Sequence, residues 1–216
     1  MKFGVLGTGD VGQRLASKLA GLGNDIKMGS RTADNPKALN WAKENGAKCS
    51  AGKFSDAAAF GEIVFLCVKG DAVMDVIQAA GTVNFKGKTV VDVTNPLDFS
   101  KGMPPSLFVS NTNSMGEEVQ KAIPDARVIK TLNCVSNEIM VNPELTGGEP
   151  TMFLSGNNLE AKEEIKKVLV QFGWKDLIDL GDITGARCTE MLLPIWLRLW
   201  GTLQNGQIGF KIVRKH

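Results

Sequence analysis

The first two thirds of the chain alternate between short apolar segments and longer stretches whose apolar residues recur at helical spacing. Short apolar segments with little alternation are typical of strands that are covered on both faces of a parallel sheet. Beginning with the opening run Met1 to Gly7, the predicted strands are Asp25 to Met28, Ala47 to Ser50, Ile63 to Val68, Thr89 to Val93 and Arg127 to Leu132. The predicted helices are Val11 to Leu22, Pro36 to Glu44, Ala72 to Ala80 and Met115 to Ile123. This order predicts an α/β protein with a doubly wound parallel sheet.

The segment Leu145 to Pro150 is rich in turn-forming residues and marks a change in the pattern. Beyond it the predicted elements are a strand (Thr151 to Leu154), a helix (Leu159 to Phe172), a strand (Leu177 to Leu180) and a long helix (Ala186 to Leu203). We therefore expect a large domain over residues 1–145 and a small carboxyl-terminal α/β domain over residues 146–216.

The last predicted helix is polar only at Arg198 and at its two ends. A surface helix would carry a polar face along its whole length. The apolar run is shorter than the roughly 20 residues that a bilayer requires, so we expect no membrane span. Two interpretations remain open: the helix is buried in the core of one chain, or it forms the contact in a homodimer.

Charge and cysteine content exclude several classes of protein. The 25 basic and 23 acidic residues give a formal charge of +2 and are scattered along the chain, so we expect no nucleic-acid partner. The four cysteines lie far apart without a CxxC pair or a neighbouring histidine, so we expect no metal site. The amino terminus has no cleavable signal pattern, and we expect a cytoplasmic protein.

Two residue types that serve as proton relays are missing from the interior of the chain. There is no tyrosine, and the single histidine is the terminal residue His216. Reduction of a carbonyl or oxidation of an alcohol commonly uses such a group as general acid or base. Redox chemistry in this protein is therefore expected to need little acid–base help.

A glycine-rich segment that follows the first strand and opens the first helix fits the pattern GxGxxG. Its residues are Gly7, Thr8, Gly9, Asp10, Val11 and Gly12. In this context the glycines allow a tight turn and close approach of a pyrophosphate, which the free N–H groups at the helix start can bind. The segment predicts a dinucleotide site in the first domain.

The end of the second strand selects between the two nicotinamide dinucleotides. NAD-binding proteins usually carry an acidic residue there, but this chain continues as Ser30, Arg31 and Thr32. A guanidinium and two hydroxyl groups suit the dianionic 2′-phosphate of NADP, and Lys37 is a further candidate cation. The sequence therefore favours NADP.

In a doubly wound sheet the ligand lies across the carboxyl ends of the strands. The further residues expected along this crevice are Cys67, Val68, Lys69, Asn95, Pro96 and Asn133. Cys67 and Cys134 are interpreted as small buried apolar residues.

Five segments taken in order resemble the NADPH:coenzyme F420 oxidoreductases and their relatives, over nearly the whole chain. They are residues 7–12, 29–31, 91–97, 128–133 and 185–194. The resemblance implies a Rossmann domain with a small carboxyl-terminal domain, a homodimer, and hydride transfer between NADP and a deazaflavin stacked on the nicotinamide. It also implies that Thr8, Ser30, Arg31, Val68 and Asn137 contact the cofactor.

The resemblance leaves the hydride acceptor open between deazaflavin and flavin. Archaeal members tend to carry histidine where Asn133 stands, whereas the wider family, including flavin-using ferric reductase domains, often carries asparagine; Lys69 replaces a common proline. Coenzyme F420 is the first expectation and FMN or FAD the second, in a crevice completed by the carboxyl-terminal segment. Transfer between stacked rings depends on positioning, so we assign no acid–base residue and treat Asn133 as a possible orienting group.

Two other functions remain compatible with the sequence. One is an NADPH-dependent imine or carbonyl reductase, for which no proton donor is obvious. The other is a non-catalytic NADPH sensor that signals through open and closed forms.

Overall fold

The computed structural model describes residues 1–215, and His216 lies outside the described residues. The strands are β1 (Lys2–Leu6), β2 (Asp25–Ser30), β3 (Cys49–Lys53), β4 (Ile63–Leu66), β5 (Thr89–Asp92), β6 (Leu97–Asp98), β7 (Ser106–Leu107), β8 (Arg127–Thr131), β9 (Thr151–Gly156) and β10 (Asp176–Asp179). The helices are α1 (Asp10–Gly21), α2 (Pro36–Glu44), α3 (Phe54–Phe60), α4 (Val73–Ala80), α5 (Met115–Ala122), α6 (Asn137–Val141), α7 (Leu159–Phe172), α8 (Ala186–Met191) and α9 (Leu193–Leu203).

Within residues 1–215, eight strands form one sheet in the order β10-β9-β8-β5-β4-β1-β2-β3. The strands from β3 to β8 are parallel, and the chain winds outward from β1 in both directions. Buried apolar side chains pack on both faces of this sheet, which explains the continuous apolar runs in the sequence. The predicted Rossmann fold, a doubly wound α/β sheet, is confirmed. Its topological switch point lies between β1 and β4.

The last two strands, β9 and β10, belong to the same sheet but run antiparallel to the other six strands. β9 pairs antiparallel with β8, and Lys130 stands opposite Ser155. β10 then pairs parallel with β9. Because of this reversal, Thr151 at the start of β9 lies at the end of the sheet where the carboxyl ends of the parallel strands are. The division between residues 145 and 146 stays a prediction, since the strands on its two sides share one sheet.

The segment after α9 runs back along the starts of β9 and β10. The Phe210 carbonyl accepts a hydrogen bond from the Thr151 N–H at 2.7 Å. The side chains of Lys211 and Arg214 both pair with Asp176, at 2.9 and 3.1 Å. These contacts hold the tail of the described chain at the edge of the sheet where the parallel strands end.

The predicted helix Ala186 to Leu203 is wrong as a single element, because α8 and α9 are separated at Leu192. Pro194 is in the first turn of α9 and has no N–H to donate to the Glu190 carbonyl, so the helical hydrogen bonding is interrupted there. Burial of this helix in the core of one chain is also wrong: Leu193 is buried, but Ile195 and Trp200 are about half exposed, at 51% and 45%. A contact between subunits stays a prediction. No helix within residues 1–215 is long and apolar enough to cross a bilayer.

Candidate functional site

A cleft with a volume of about 810 Å³ lies across the carboxyl ends of β1, β4, β5 and β8. Its position next to the topological switch point is the usual place for a ligand in an open α/β sheet. The cleft is lined by Gly9, Asp10, Val11, Cys67, Val68, Lys69, Gly70, Asp71, Val93, Thr94, Asn95, Leu97, Asp98, Phe99, Ser100, Phe108, Val135, Asn137 and Met140.

The glycine segment forms the turn between β1 and α1 and has the geometry that a pyrophosphate requires. Gly7 has a φ of 129°, and a Cβ at Gly12 would overlap the Gly7 carbonyl, so both positions need glycine. Space around the Gly9 Cα is open, with no atom within 4 Å of a Cβ placed there. Gly9 is also the N-cap of α1 and has no side chain to occupy the first N–H groups of the helix. The turn therefore leaves both room and hydrogen-bond donors for phosphate oxygens.

The end of β2 presents a cation without a carboxylate at the strand terminus. Arg31, Thr32 and Lys37 are exposed, and within residues 1–215 Arg31 has no ion-pair partner. Ser30 is buried, and its hydroxyl donates to the Thr32 carbonyl at 2.5 Å, so it shapes the turn that carries Arg31. A hydrogen bond from Thr32 holds the pKa of the exposed Asp34 below its usual value.

The predicted site residues divide into two groups in the structure. Those that line the cleft are Gly9, Asp10, Val11, Cys67, Val68, Lys69, Asn95 and Asn137. Those outside its lining are Gly7, Thr8, Gly12, Ser30, Arg31, Thr32, Lys37, Pro96 and Asn133. Gly7 and Gly12 shape the turn, and the residues at the end of β2 and just after it lie on the opposite side of β1 from β4.

The thiols near the cleft are buried and neutral. Burial raises the pKa of Cys67 far above its usual value, with a smaller contribution from Asp92. Burial also raises the pKa of Cys134 to about 12. Neither thiol is activated as a nucleophile, which requires a lowered pKa.

Two asparagines join the ends of β5 and β8, and one of them, Asn95, lines the cleft. The Asn95 Nδ2 donates to the Asn133 carbonyl at 2.8 Å, and the Asn133 Nδ2 donates to the Asn95 Oδ1 at 3.0 Å. The Asn133 Oδ1 is buried and has no hydrogen-bond partner among the described residues. An unpaired buried acceptor is costly, and this oxygen has no surface open to the cleft, which Asn133 does not line.

The hairpin formed by β6 and β7 supplies a wall of the cleft that the sequence did not predict. Phe99 and Phe108 line the cleft and are 55% and 46% exposed. The signal in the sequence is weak, because the paired strands contain only two residues each. No residue after Met140 lines this cleft in the single described chain, and the expected contribution of the carboxyl-terminal segment stays a prediction.

A buried ionic network lies beneath the Asn95 side of the cleft. The Lys130 Nζ contacts the Asp92 Oδ2 at 2.9 Å, the Glu190 Oε1 at 2.8 Å and the Thr94 carbonyl at 2.7 Å. Glu190 in turn accepts hydrogen bonds from the Met115 and Gly116 N–H groups at the start of α5.

Burial and charge act in opposite directions on this network. Burial lowers the pKa of Lys130, but Asp92 and Glu190 outweigh it and the net shift is upward, so the ammonium stays charged. Burial raises the pKa of Glu190, and the neighbouring Lys130 opposes that shift only in part.

Comparison with known proteins relates the whole chain to one group of redox enzymes. Residues 2–96 match the sequence model of the family described as NADP oxidoreductase, coenzyme F420-dependent. The crystal structure of a putative F420-dependent NADP-reductase from Arthrobacter sp. FB24 superposes with a TM-score of 0.93 and 44% identity, covering 99% of this chain and 100% of that one.

Two curated relatives show how far the similarity extends. The F420-dependent NADP reductase of Methanocaldococcus jannaschii is 27% identical over 98% of both chains. The metalloreductase STEAP3 of Rattus norvegicus is 28% identical over 90% of this chain, which spans only 38% of that protein. The chain belongs to the coenzyme F420-dependent NADP oxidoreductase family and is an NADP-dependent oxidoreductase.

Proposed function

We propose that this protein transfers hydride between NADPH and a planar isoalloxazine-type ring, with deazaflavin (coenzyme F420) as the first acceptor and FMN or FAD as the second. The observation that carries the proposal is the composition of the cleft. The open phosphate-binding turn leads to a region lined by aromatic and aliphatic side chains, with amide groups at its floor. The relatives whose names include F420 support deazaflavin as the first choice.

In this proposal the adenosine half of NADPH lies over the end of β2. Arg31 and Thr32 contact the 2′-phosphate, Ser30 shapes their turn, and Lys37 adds a second cation. The pyrophosphate lies against residues 7–12 at the start of α1. Arg31 is suited to this role because no described carboxylate occupies its guanidinium.

The nicotinamide half lies at the ends of β4, β5 and β8. Val68 and Val135 line this part of the cleft and provide apolar contacts, and Asn133 acts behind the lining by orienting Asn95. Asn95 holds Asn133 in place through the two hydrogen bonds between them.

The acceptor ring lies at the nicotinamide end, beside Phe99 and Phe108. The hairpin that carries them follows β5, so it stands on the nicotinamide side of the switch point. Aromatic rings stack with planar ligands, and stacking at near-attack distance is the main requirement of hydride transfer between two rings. No histidine or tyrosine is needed for this step.

Stopped-flow oxidation of C4-deuterated NADPH tests the proposal, with F420, FMN, FAD and a panel of small carbonyls and imines as separate acceptors. We expect rapid oxidation with at least one ring acceptor and a primary isotope effect on that phase. Turnover of a carbonyl or imine with no turnover of any ring would contradict the proposal.

One observation favours a second candidate, an NADPH-dependent imine or carbonyl reductase. Lys69 lines the cleft, and its ammonium is a proton donor of the kind such a reaction requires. In that case Lys69→Met abolishes carbonyl or imine turnover. In hydride transfer to a ring it leaves the chemical step largely intact. Steady NADPH consumption with either acceptor class would reject a non-catalytic sensor.

We also propose that the protein is a homodimer whose contact is made by α9. Ile195, Trp200 and Leu203 leave a large apolar surface exposed on this helix in the single chain. A surface of this kind on a folded protein is typical of a subunit contact. The four cysteines are free, which suits a reducing compartment, and we propose a cytoplasmic location.

A further inference from the structure

The buried network around Lys130 holds the peptide that precedes the cleft residue Asn95. Lys130 is fully buried, and its Nζ makes three contacts, with Asp92, Glu190 and the Thr94 carbonyl. An ammonium group has three donor hydrogens, so its bonding capacity is filled. No part of Lys130 lines the cleft, and its effect on a bound ligand must pass through another residue.

Thr94 is held from three directions. Its N–H and its hydroxyl both donate to the Asp92 Oδ1, at 2.9 and 2.6 Å, and its carbonyl accepts from Lys130. The next residue, Asn95, is held by its paired hydrogen bonds with Asn133, and Gly70 lies so close that a Cβ there would overlap the Asn95 carbonyl. This side of the cleft is therefore fixed at successive residues.

Stability alone is a poor explanation for this arrangement. Removing charged groups from water is costly, and replacement of a buried ion pair by apolar residues of similar volume is often neutral or stabilising. Three ionisable groups, Lys130, Asp92 and Glu190, nevertheless lie beneath the strand end where the nicotinamide is proposed to bind. Directional hydrogen bonds fix a peptide orientation, which apolar packing at the same place does not do.

We propose that Lys130 is a positioning residue for hydride transfer: through the Thr94 carbonyl it fixes the Asn95–Asn133 side of the cleft in the orientation that the nicotinamide ring requires. This inference rests on the proposed function for the identity of the ring. Through Glu190, which is on α8, the same ammonium also connects this side of the cleft to α8 and to the start of α5.

The test compares Lys130→Met with a matched control, Lys162→Met. Lys162 is also nearly buried and pairs with Asp179 at 2.9 Å, but it lies on α7 and does not line the cleft. Both variants lose a largely buried ammonium and are expected to melt at a lower temperature than the wild type. Only Lys130→Met is expected to change the behaviour of the nicotinamide.

Three readouts separate positioning from folding. The first is kcat for NADPH oxidation, which is expected to fall about 100-fold in Lys130→Met, the size of effect that a displacement of about 1 Å produces. The second is the fluorescence of bound NADPH, which reports the surroundings of the reduced nicotinamide and is expected to lose its enhancement. The third is the affinity for 2′,5′-ADP, which probes only the adenosine half and is expected to stay unchanged.

A second variant covers the case in which Lys130→Met leaves two buried carboxylates unpaired and does not fold. The triple variant Asp92→Asn, Lys130→Met, Glu190→Gln removes every charge of the network, while the amide oxygen introduced at position 92 can still accept from Thr94. It is expected to fold and to show the same losses in kcat and NADPH fluorescence.

Failure of this inference and failure of the proposed function give different results. Wild-type kcat and NADPH fluorescence in the folded Lys130 variants would overturn the inference, as would equal losses in Lys162→Met. If the wild type turns over no ring acceptor but its NADPH fluorescence still depends on Lys130, the proposed function fails and the positioning role stands.

Discussion

Loss of the Arg31 guanidinium is expected to reduce the affinity for NADPH selectively. Arg31 is exposed, and its side chain has no ion-pair or hydrogen-bond partner among residues 1–215, so Arg31→Ala removes no polar contact of the described fold. A hydrogen bond to a charged group contributes about 1.5–3 kcal/mol, which corresponds to roughly a 10- to 100-fold rise in the Kd for NADPH. NADH lacks the 2′-phosphate, and its Kd is expected to change little.

The measurement is a fluorescence titration of the wild type and the variant with each nucleotide. For each protein the Kd for NADPH is divided by the Kd for NADH, and the two quotients are compared. Lys43→Ala is a suitable control, because Lys43 is an exposed cation on α2 but stands at the opposite end of that helix from Lys37. The difference in the Kd for NADPH between wild type and variant is expected to shrink as the salt concentration rises towards about 1 M, where the Debye length is about 3 Å. Equal losses for NADPH and NADH would refute the assignment of Arg31 to the 2′-phosphate.

Three further outcomes are expected. Phe99→Ala raises the KM for a ring acceptor without changing the Kd for NADPH, whereas Met103→Ala, an exposed change on the same hairpin outside the cleft lining, leaves both constants unchanged in steady-state assays. Trp200→Glu converts the proposed dimer to a monomer by light scattering; a wild type that is already monomeric at tens of micromolar would contradict the dimer. The Arg187 guanidinium holds the pKa of Glu117 below its usual value, so the contribution of this ion pair to stability is present at neutral pH and is lost as the pH falls through the lowered pKa. The melting temperature of Glu117→Gln is therefore expected to fall less on acidification than that of the wild type. An unchanged dependence of melting temperature on pH would contradict this.

The parallel part of the fold could be predicted because β1, β4 and β5 are almost continuous apolar runs and the long helices between the strands have apolar faces. The prediction for Leu159 to Phe172 coincides with α7, where Asn158 caps the helix start by accepting the Ala161 N–H. Helix α3 was missed because seven residues are too few to show helical periodicity. β3 begins at Cys49, two residues later than predicted, because the Cys49 N–H closes a turn onto the Gly46 carbonyl.

The glycine turn of the candidate site could also be predicted, because its backbone requirements leave a direct mark on the sequence. The wall formed by Phe99 and Phe108 could not, because it depends on a short hairpin whose position is set by tertiary contacts. The network around Lys130 was hidden for a different reason. Lys130 follows two apolar residues of β8, and its partner Glu190 is 60 residues away, so no spacing in the sequence connects them.

The reversed direction of β9 gives the chain a region that can vary independently of its dinucleotide site. Because β9 starts at the edge where the parallel strands end, the tail that binds Thr151 and Asp176 lies at the same edge as the cleft. Gln207 in this tail also contacts Glu138, the neighbour of the cleft residue Asn137. Substitutions in the tail can therefore change the surface beside Asn137 while β1, β4 and the glycine turn stay unchanged. Under the proposed function, this layout allows the acceptor end of the cleft to vary while the proposed NADP contacts are kept.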